Sequence, residues 1–237
     1  MVHESAPRTG SSKTTGRQQG PLPVLLVCLT VVTGLVDAFS YLKLGHVFVA
    51  NMTGNVVFLG FALAGAGGVS IASSLLAVVA FALGATVGGR WAAGRPVHRG
   101  HLLAVATSVQ AGLVVVAVVI TSTVGAQGSA LRLTLIGLLA LAMGGQNAVA
   151  RRLAVPDLTT TVLTLTVTGL VADSTPASVR ARRVISVLSM LAGALTGGLL
   201  LRFVGLAAPL WLAAGLLVMC ATAAYTATAR PGSQAWG

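Results

Sequence analysis

The sequence predicts an all-α integral membrane protein with six transmembrane helices and two re-entrant or broken helical segments. Composition supports this class, because 55% of the residues are hydrophobic and only 8% are charged, whereas a soluble domain carries about 25% charged residues. The apolar runs are also long, and a helix needs about 20 such residues to cross a bilayer. We therefore expect a single polytopic membrane domain.

Eight apolar segments follow one another along the chain. Most fall in the range of about 17 to 25 residues that suits a transmembrane helix, and the sixth is short. The segments are residues 22–42, 46–64, 69–89, 102–123, 133–150, 157–172, 184–201 and 204–229. They define a membrane domain at 22–229, between a polar tail at 1–21, which we expect to be disordered and cytoplasmic, and a short tail at 230–237.

The distribution of Lys and Arg distinguishes two topologies. If all eight segments span and the N-terminus is inside, eight of these residues fall inside and seven outside. If the second and sixth segments instead enter and leave on the same side, twelve fall inside and three outside. Short cytoplasmic loops carry an excess of Lys and Arg, so six spans with both termini in the cytoplasm are preferred. The excess of Lys and Arg that sets this orientation also accounts for the net charge of +11, so no nucleic-acid partner is expected.

An internal repeat relates the two halves, about residues 22–123 and 131–229. GLVDA (34–38) falls on GGQNA (144–148), MTGNVVFLG (52–60) on LTLTVTGLV (163–171), and GATVGG (84–89) on GALTGG (193–198), in chain order and at a nearly constant shift. Three spans and one re-entrant segment per half would place the second copy upside down relative to the first. Inverted repeats with broken helices are a recurrent plan of transporters, with the binding site at the repeat interface.

Asp37 is the acidic residue inside the first segment, where an aspartate costs about 2.5 to 3.5 kcal/mol on insertion scales. Thr33, Ser40 and Tyr41 share its helical face. Asp37 would be a proton or cation site, or a hydrogen-bond anchor for the re-entrant segment. The alternative is an aspartate near the outer interface that pairs with Lys43 or caps a helix end.

Other polar residues inside apolar segments complete the candidate substrate site. Those of the second segment would contact substrate at a helix break, or form an N-cap and a tight helix crossing. Those of the second half either line the same site or make ordinary interhelical hydrogen bonds. The candidates besides Asp37 are Asn51, Thr53, Gly54, Asn55, Gln146, Asn147, Thr161 and Thr164, with Gln110 and Thr107 as a weaker pair.

One GxxxG pair occurs in each half, Gly84 with Gly88 and Gly193 with Gly197. Small residues at this spacing let helices pack closely in membranes, so these four glycines are predicted to serve helix packing.

Catalytic chemistry has little support. The sequence contains no HExxH, GxSxG, Walker or GxGxxG motif, and His98 and His101 lack further ligands for a metal. Cys28 and Cys220 are interpreted as small hydrophobic residues. We expect no enzyme activity, no catalytic residue, no metal and no cofactor.

The run GLVDAFSYLKLGHVFVANMTGNVVFLG (34–60), then GATVGG and MGGQNAVARRLAVPDLTTTVLT (143–164), resembles the YoaK family of bacterial multi-pass membrane proteins. The resemblance covers about residues 22–229. It implies a bacterial plasma-membrane location and about six transmembrane helices, and it supplies no substrate, because the family is classed as a domain of unknown function.

The function predicted is that of a transporter or channel for a small solute or ion, with a site where the two broken segments meet. The alternative is a non-transporting scaffold or assembly protein whose polar residues only support helix packing. The expected partners are the lipid bilayer, an unknown small solute or ion, and a second copy of the chain in a homo-oligomer.

Overall fold

A computed structural model describes residues 21–94, 98–153, 163–173 and 176–229, with the backbone alone for 163–165. Within these residues the protein consists of eight α-helices and contains no strand. The helices are α1 (Leu22–Lys43), α2 (Met52–Leu63), α3 (Ile71–Ala93), α4 (Arg99–Thr123), α5 (Ser129–Leu153), α6 (Leu163–Ala172), α7 (Ala177–Phe203) and α8 (Ala208–Thr228). Except for Pro21, the predicted tails lie outside the described residues.

Six of these helices are long and apolar enough to cross a membrane. The shortest of them, α8, has 21 residues, which gives a length of about 32 Å against a hydrocarbon core of about 30 Å. Helix α2 has 12 residues, so it extends about 18 Å, which is too short to span. The described part of α6 has 10 residues and extends about 15 Å. The prediction of six transmembrane helices and two shorter helical segments is confirmed.

Two helices, α2 and α7, begin six or seven residues away from the start of the apolar segments that predicted them. The second segment was expected from residue 46, but α2 begins at Met52, and residues 44–51 are irregular. The seventh was expected from residue 184, but α7 begins at Ala177 and includes Arg180, Arg182 and Arg183. An apolar run marks the part of a helix that lies in hydrocarbon, whereas the helical hydrogen bonds of α7 continue into the polar interface.

Helix α1 is the central element of the bundle. In its most apolar 18-residue window 67% of the residues are buried, whereas the corresponding value for α7 is 22%. The apolar residues that α7 leaves exposed, such as Leu191 and Leu195, therefore face lipid. This burial fits the positions of the candidate residues, because Asp37 lies on the most enclosed helix.

The helices pack in pairs that correspond between the two halves. Helix α1 packs on α7 and α5 packs on α3; α4 packs on α5 and α8 packs on α1; α2 packs on α3 and α6 packs on α7. Exchanging α1 with α5, α2 with α6, α3 with α7 and α4 with α8 converts each of these pairs into its counterpart. The α4–α8 and α1–α5 pairs convert into themselves, and the counterpart of α7–α8, which is α3–α4, is not among the more extensively packed pairs of the described helices.

Glycines allow backbone-to-backbone contact in the α1–α7 and α3–α5 pairs. A Cβ atom on Gly34 of α1 would lie 2.5 Å from the Met190 carbonyl oxygen and 2.7 Å from the Ala194 nitrogen of α7. A Cβ on Gly144 of α5 would overlap the Phe81 carbonyl oxygen of α3. Neither helix pair has room for a side chain at these positions.

The four GxxxG glycines lie in the same two crossings. A Cβ on Gly84 would overlap the Leu141 carbonyl oxygen, and one on Gly193 would overlap the Val31 carbonyl oxygen. One on Gly88 would lie 3.1 Å from the Gly145 carbonyl oxygen, and one on Gly197 would lie 3.2 Å from that of Leu35.

Candidate functional site

The connection between α1 and α2 returns into the protein instead of staying at its surface. After α1 ends, Gly45 and His46 adopt positive φ values of 97° and 57°, which reverse the chain. Val47, Val49 and Ala50 then lie buried, at 0%, 0% and 2% exposure. Because this backbone is neither helical nor exposed to water, its N–H groups require partners within the protein.

Asp37 supplies two of those partners. Its Oδ1 atom accepts hydrogen bonds from the backbone N–H groups of Val49 and Ala50, at 3.0 and 2.9 Å. Its other oxygen, Oδ2, is buried and has no hydrogen-bond partner among the described residues. Asp37 therefore anchors the returning segment through Oδ1, and Oδ2 makes no hydrogen bond to the described residues.

Asn55 holds the same segment from α2. Its Oδ1 accepts from the Phe48 N–H at 2.9 Å, and its Nδ2 donates to the Phe48 carbonyl at 2.6 Å. The side chain is fully buried, at 0% exposure. A carboxamide matches both groups of one peptide backbone, which explains an asparagine in the first turn of this apolar helix.

Gly54 makes room for an aromatic stack over the segment. A Cβ at this position would lie 2.9 Å from Cδ2 of Phe48, so the close approach is to this ring and not to a neighbouring helix. Phe48 stacks on Tyr41 with ring centroids 4.9 Å apart and on Phe58 at 5.8 Å. Gly54 and Asn55, in the polar middle of the second segment, therefore make contacts that hold the local fold together.

Asn51 and Thr53 point away from this arrangement. Both are exposed, and Asn51 occupies the N-cap position of α2 without making a side-chain capping bond. The N-cap position that the sequence indicated is present, but its hydrogen bond is not. These two residues are separate from the buried anchor formed by Asp37 and Asn55.

A second buried polar cluster joins three long helices. Gln110 of α4 donates through Nε2 to Oε1 of Gln146 on α5, and Gln146 donates through Nε2 to Oγ1 of Thr33 on α1 at 3.4 Å. All three side chains are buried, with exposures of 2%, 4% and 0%. Thr33 and Gln110 lie at the midpoints of α1 and α4, and Gln146 lies in the second half of α5, so the cluster is at mid-height of the first two helices. We call these three residues the midplane cluster.

The midplane cluster and the anchor are neighbours on α1. Thr33 lies one helical turn before Asp37, and both side chains are buried. Residues four apart share a helix face, so one polar face of α1 leads from the returning segment to the middle of the bundle. Sequence reasoning noted that Thr33 shares the face of Asp37 and ranked Gln110 as a weaker candidate, but the link through Gln146 appears only in the fold.

The other candidates of the second half are more dispersed. Asn147 donates from Nδ2 to the Met143 carbonyl of its own helix at 2.9 Å. Thr161 lies outside the described residues, and only the backbone of Thr164 is described. Helix α2 packs on α3 and α6 packs on α7, and α2 with α6 is not among the packed pairs of described helices. Within the described residues each short helix lies against a long helix of its own half, and residues 157–162 of the predicted sixth segment lie outside the described residues, so a site where the two segments meet stays a prediction.

A pocket of about 350 Å³ opens between α3, α4 and α5, beside the midplane cluster. Gln110 and Gln146 supply its buried polar groups, and Gly84, Gly88 and Gly145 also line it. A shallower depression of about 430 Å³ lies between α4 and α8, but its polar side chains, such as His101 and Thr222, are exposed. Of these two, the pocket between α3, α4 and α5 is the one lined by buried polar side chains.

The chemistry available at these sites is hydrogen bonding. No group of three or more His, Cys, Asp or Glu side chains that could hold a metal occurs in the described residues. Asp37 is 3% exposed and faces backbone N–H groups. The arrangement can bind and orient a small molecule, and it presents no nucleophile with an adjacent base among the residues described.

Comparison with known proteins agrees with the resemblance seen in the sequence. The model of a family described as "Protein of unknown function (DUF1275)" matches residues 25–223. A 62-residue stretch is 48% identical to the UPF0700 transmembrane protein YoaK of Bacillus subtilis (strain 168) and covers 26% of this chain. It spans 27% of that relative. No solved structure matches the chain.

Proposed function

Because the chain belongs to the DUF1275 family of proteins of unknown function, we infer its function from its own geometry and propose a membrane transporter for a small solute. The observation that carries the proposal is the midplane cluster. Three hydrogen-bonding side chains from three transmembrane helices meet in the middle of the bundle beside a pocket of about 350 Å³. Polar groups inside a membrane are costly, face the bundle interior and mark substrate pathways.

We also propose that the two halves are inverted repeats, and several correspondences between them support this. The glycine crossings correspond between the halves, since Gly34 meets Met190 and Gly144 meets Phe81. Gly34 and Gly144 are equivalent positions of the sequence repeat, and the same shift relates Phe81 to Met190 to within one position. The same shift carries the start of α4 onto the start of α8 to within one residue, and the starts of α1 and α3 onto those of α5 and α7 to within three and four residues. Repeats of this kind place a transporter's binding site at their interface.

The proposed orientation puts both termini in the cytoplasm of a bacterial plasma membrane. It follows from the count of twelve Lys and Arg inside against three outside. Two contacts hold the arginine-bearing helix ends together at one end of the bundle. Arg99 at the start of α4 donates to the carbonyl of Leu153 at the end of α5, and Arg152 donates to that of Ala93 at 3.5 Å.

Within this proposal Asp37 connects the segment at residues 44–51 to the solute site. Its Oδ1 holds the segment at residues 44–51 over the outer half of the bundle, and its Oδ2 is left to take a proton or a cation. Binding at Oδ2 would change the charge one turn from Thr33, which is how Asp37 would couple an ion to the solute. The solute itself lies at the midplane cluster and not between α2 and α6.

A scaffold without transport activity is the second candidate, and one observation favours it. Asp37 and Asn55 direct their hydrogen bonds to the backbone of residues 48–50, so part of the polar interior is engaged in holding the fold. A transporter and a scaffold differ in whether water reaches the midplane cluster from both sides of the membrane.

Accessibility of Thr33→Cys tests the proposal without knowledge of the substrate. In a background with Cys28→Ala and Cys220→Ala, a membrane-impermeant methanethiosulfonate is applied to right-side-out and to inside-out vesicles. Alternating access exposes the middle of α1 to each side in turn, so we expect modification in both preparations.

The control is Val116→Cys, which lies near the middle of α4 with 48% of its surface exposed and faces lipid. It should remain unmodified in both preparations, since the reagent does not enter hydrocarbon. If Thr33→Cys is also unmodified from both sides while the protein is folded, the scaffold replaces the transporter.

A further inference from the structure

The pocket beside the midplane cluster identifies the kind of solute that the protein takes. We propose that it binds a neutral, largely apolar molecule that carries a hydrogen-bond donor, received from the bilayer and held by Oε1 of Gln110. This inference rests on the proposed function, because it names the solute class of the same site. It depends on the orientation of one side chain, on the uncharged walls and on the position of the opening.

The orientation of Gln110 is fixed by a directional chain of hydrogen bonds. Thr33 uses its hydroxyl hydrogen on the Leu29 carbonyl, at 2.9 Å, so its oxygen can only accept from Gln146. Gln146 must then present Nε2 to Thr33 and Oε1 to Gln110. Gln110 must therefore present Nε2 to Gln146, and it also contacts the Met143 sulfur at 3.4 Å through that nitrogen.

As a result, Oε1 of Gln110 is a hydrogen-bond acceptor with no donor among the described residues. This oxygen is buried, and other atoms of Gln110 line the pocket, so a donor on a ligand reaches this oxygen through a small shift of the side chain or its neighbours. A buried carbonyl oxygen that has lost its water is costly unless a donor reaches it. A ligand with an O–H or N–H group satisfies this atom, whereas a ligand with acceptors alone does not.

The walls of the pocket exclude a charged ligand. The residues that line it are apolar apart from Gln110, Gln146 and the indole of Trp91, and none carries a charge. A charge placed among such groups would have no counter-ion in a region of low dielectric. The volume of about 350 Å³ lies near the lower end of the range of about 300 to 1,000 Å³ for small-molecule pockets, which fits a compact molecule of two or three fused rings.

The opening of the pocket faces the bilayer. Val87 of α3 and Val109 of α4 line it and are 66% and 61% exposed. Both lie on helices that are long and apolar enough to span the membrane, so the surface around the opening is in contact with acyl chains. A ligand therefore enters sideways from the hydrocarbon, where a neutral apolar molecule concentrates.

Carbazole and fluorene form a matched pair of probes. They have the same three-ring shape, but carbazole has an N–H group where fluorene has a methylene. Binding is measured by equilibrium dialysis against the protein in lipid nanodiscs, with empty nanodiscs used to subtract partitioning into lipid. We expect carbazole to bind about fivefold more tightly than fluorene, the gain of one hydrogen bond between neutral groups.

Two variants separate the contribution of the Gln110 acceptor to binding from that of the cavity opening. Gln110→Met removes the acceptor at similar volume and should reduce the carbazole-to-fluorene preference to about onefold. Val109→Trp keeps all amides and blocks the opening, so both probes should bind about tenfold more weakly with the preference retained. Because Val109 is exposed, its replacement leaves the buried packing in place and keeps the test valid if Gln110→Met does not fold.

Equal binding of the two probes by the wild type, or affinities unchanged by Val109→Trp, would overturn the inference. Loss of the transport proposal gives a different pattern. In that case Thr33→Cys is unmodified from both sides while the preference for carbazole remains, which describes a ligand-binding protein that does not transport.

Discussion

Replacing Gly34 or Gly144 with alanine is expected to destabilise the protein by about 2 to 3 kcal/mol in each case, the upper range for added volume in a packed core. At Gly34 the new methyl group would lie 2.5 Å from the Met190 carbonyl oxygen, and at Gly144 it would overlap that of Phe81. Backbone atoms cannot rotate away as a flexible side chain can. The helix pairs α1–α7 and α3–α5 would have to separate.

The measurement is the free energy of unfolding in detergent micelles, with Gly112→Ala as the matched control. Gly112 is exposed in the middle of α4, and nothing lies within 4 Å of a Cβ placed there. Alanine should be neutral at this position or stabilising by up to about 1 kcal/mol, from helix propensity alone. Close backbone packing at the two crossings is refuted if Gly34→Ala and Gly144→Ala behave like the control, or if only one of the two is destabilised.

Replacing Asp37 with alanine is expected to cost about 2 to 5 kcal/mol, because it leaves two buried N–H groups without an acceptor. These are the N–H groups of Val49 and Ala50, which both bond to Oδ1. Water cannot replace the lost acceptor unless the segment at residues 44–51 leaves the bundle. Hydrogen exchange measured on a peptide that covers this segment should accelerate in Asp37→Ala, along with the loss of unfolding free energy.

Asp37→Asn separates the acceptor from the charge. Asparagine keeps one oxygen at the same distance along the side chain, so we expect slow exchange in residues 44–51 and most of the wild-type stability. Fast exchange in both variants would mean that the negative charge holds the segment. Slow exchange in both would show that Asp37 does not anchor it at all.

The spans were predictable because hydropathy and length act locally. Six long helices follow from the apolar runs, and the choice of six over eight follows from the positions of the Lys and Arg residues. The family resemblance also appeared in the sequence, since the motifs around residues 34–60 and 143–164 lie within the region matched by the family.

The irregular segment before α2 was not predictable from local pattern. VFVA at residues 47–50 is apolar and reads as the continuation of a helix. Its conformation depends on Asp37, which lies 12 residues before Val49 in the chain and accepts a hydrogen bond from the Val49 N–H. Partners at such distances along the chain are set by tertiary packing, so the sequence indicated Asp37 as one alternative anchor for the second segment without showing which backbone groups it bonds.

The midplane cluster shows the same limit on a larger scale. Gln110 and Gln146 lie on successive long helices, and Gln146 and Thr33 lie in opposite halves of the chain. Each looks like an ordinary polar residue in an apolar helix, and nothing in the local sequence joins them. The expected meeting of the two short segments stays a prediction, because residues 157–162 of the predicted sixth segment lie outside the described residues.

The central claim is that the two halves are inverted around six spans, and the sides on which residues 67 and 94 lie test it most directly. Single cysteines at Gly67→Cys and Gly94→Cys, in a background without Cys28 and Cys220, are labelled in intact cells with an impermeant maleimide. Gly67 lies in open space, and near Gly94 a Cβ would meet only the Arg90 carbonyl oxygen, at 3.8 Å. Inverted halves predict labelling at residue 67 in intact cells and at residue 94 only after permeabilisation. The reverse pattern, which eight full spans would produce, would contradict the inverted arrangement.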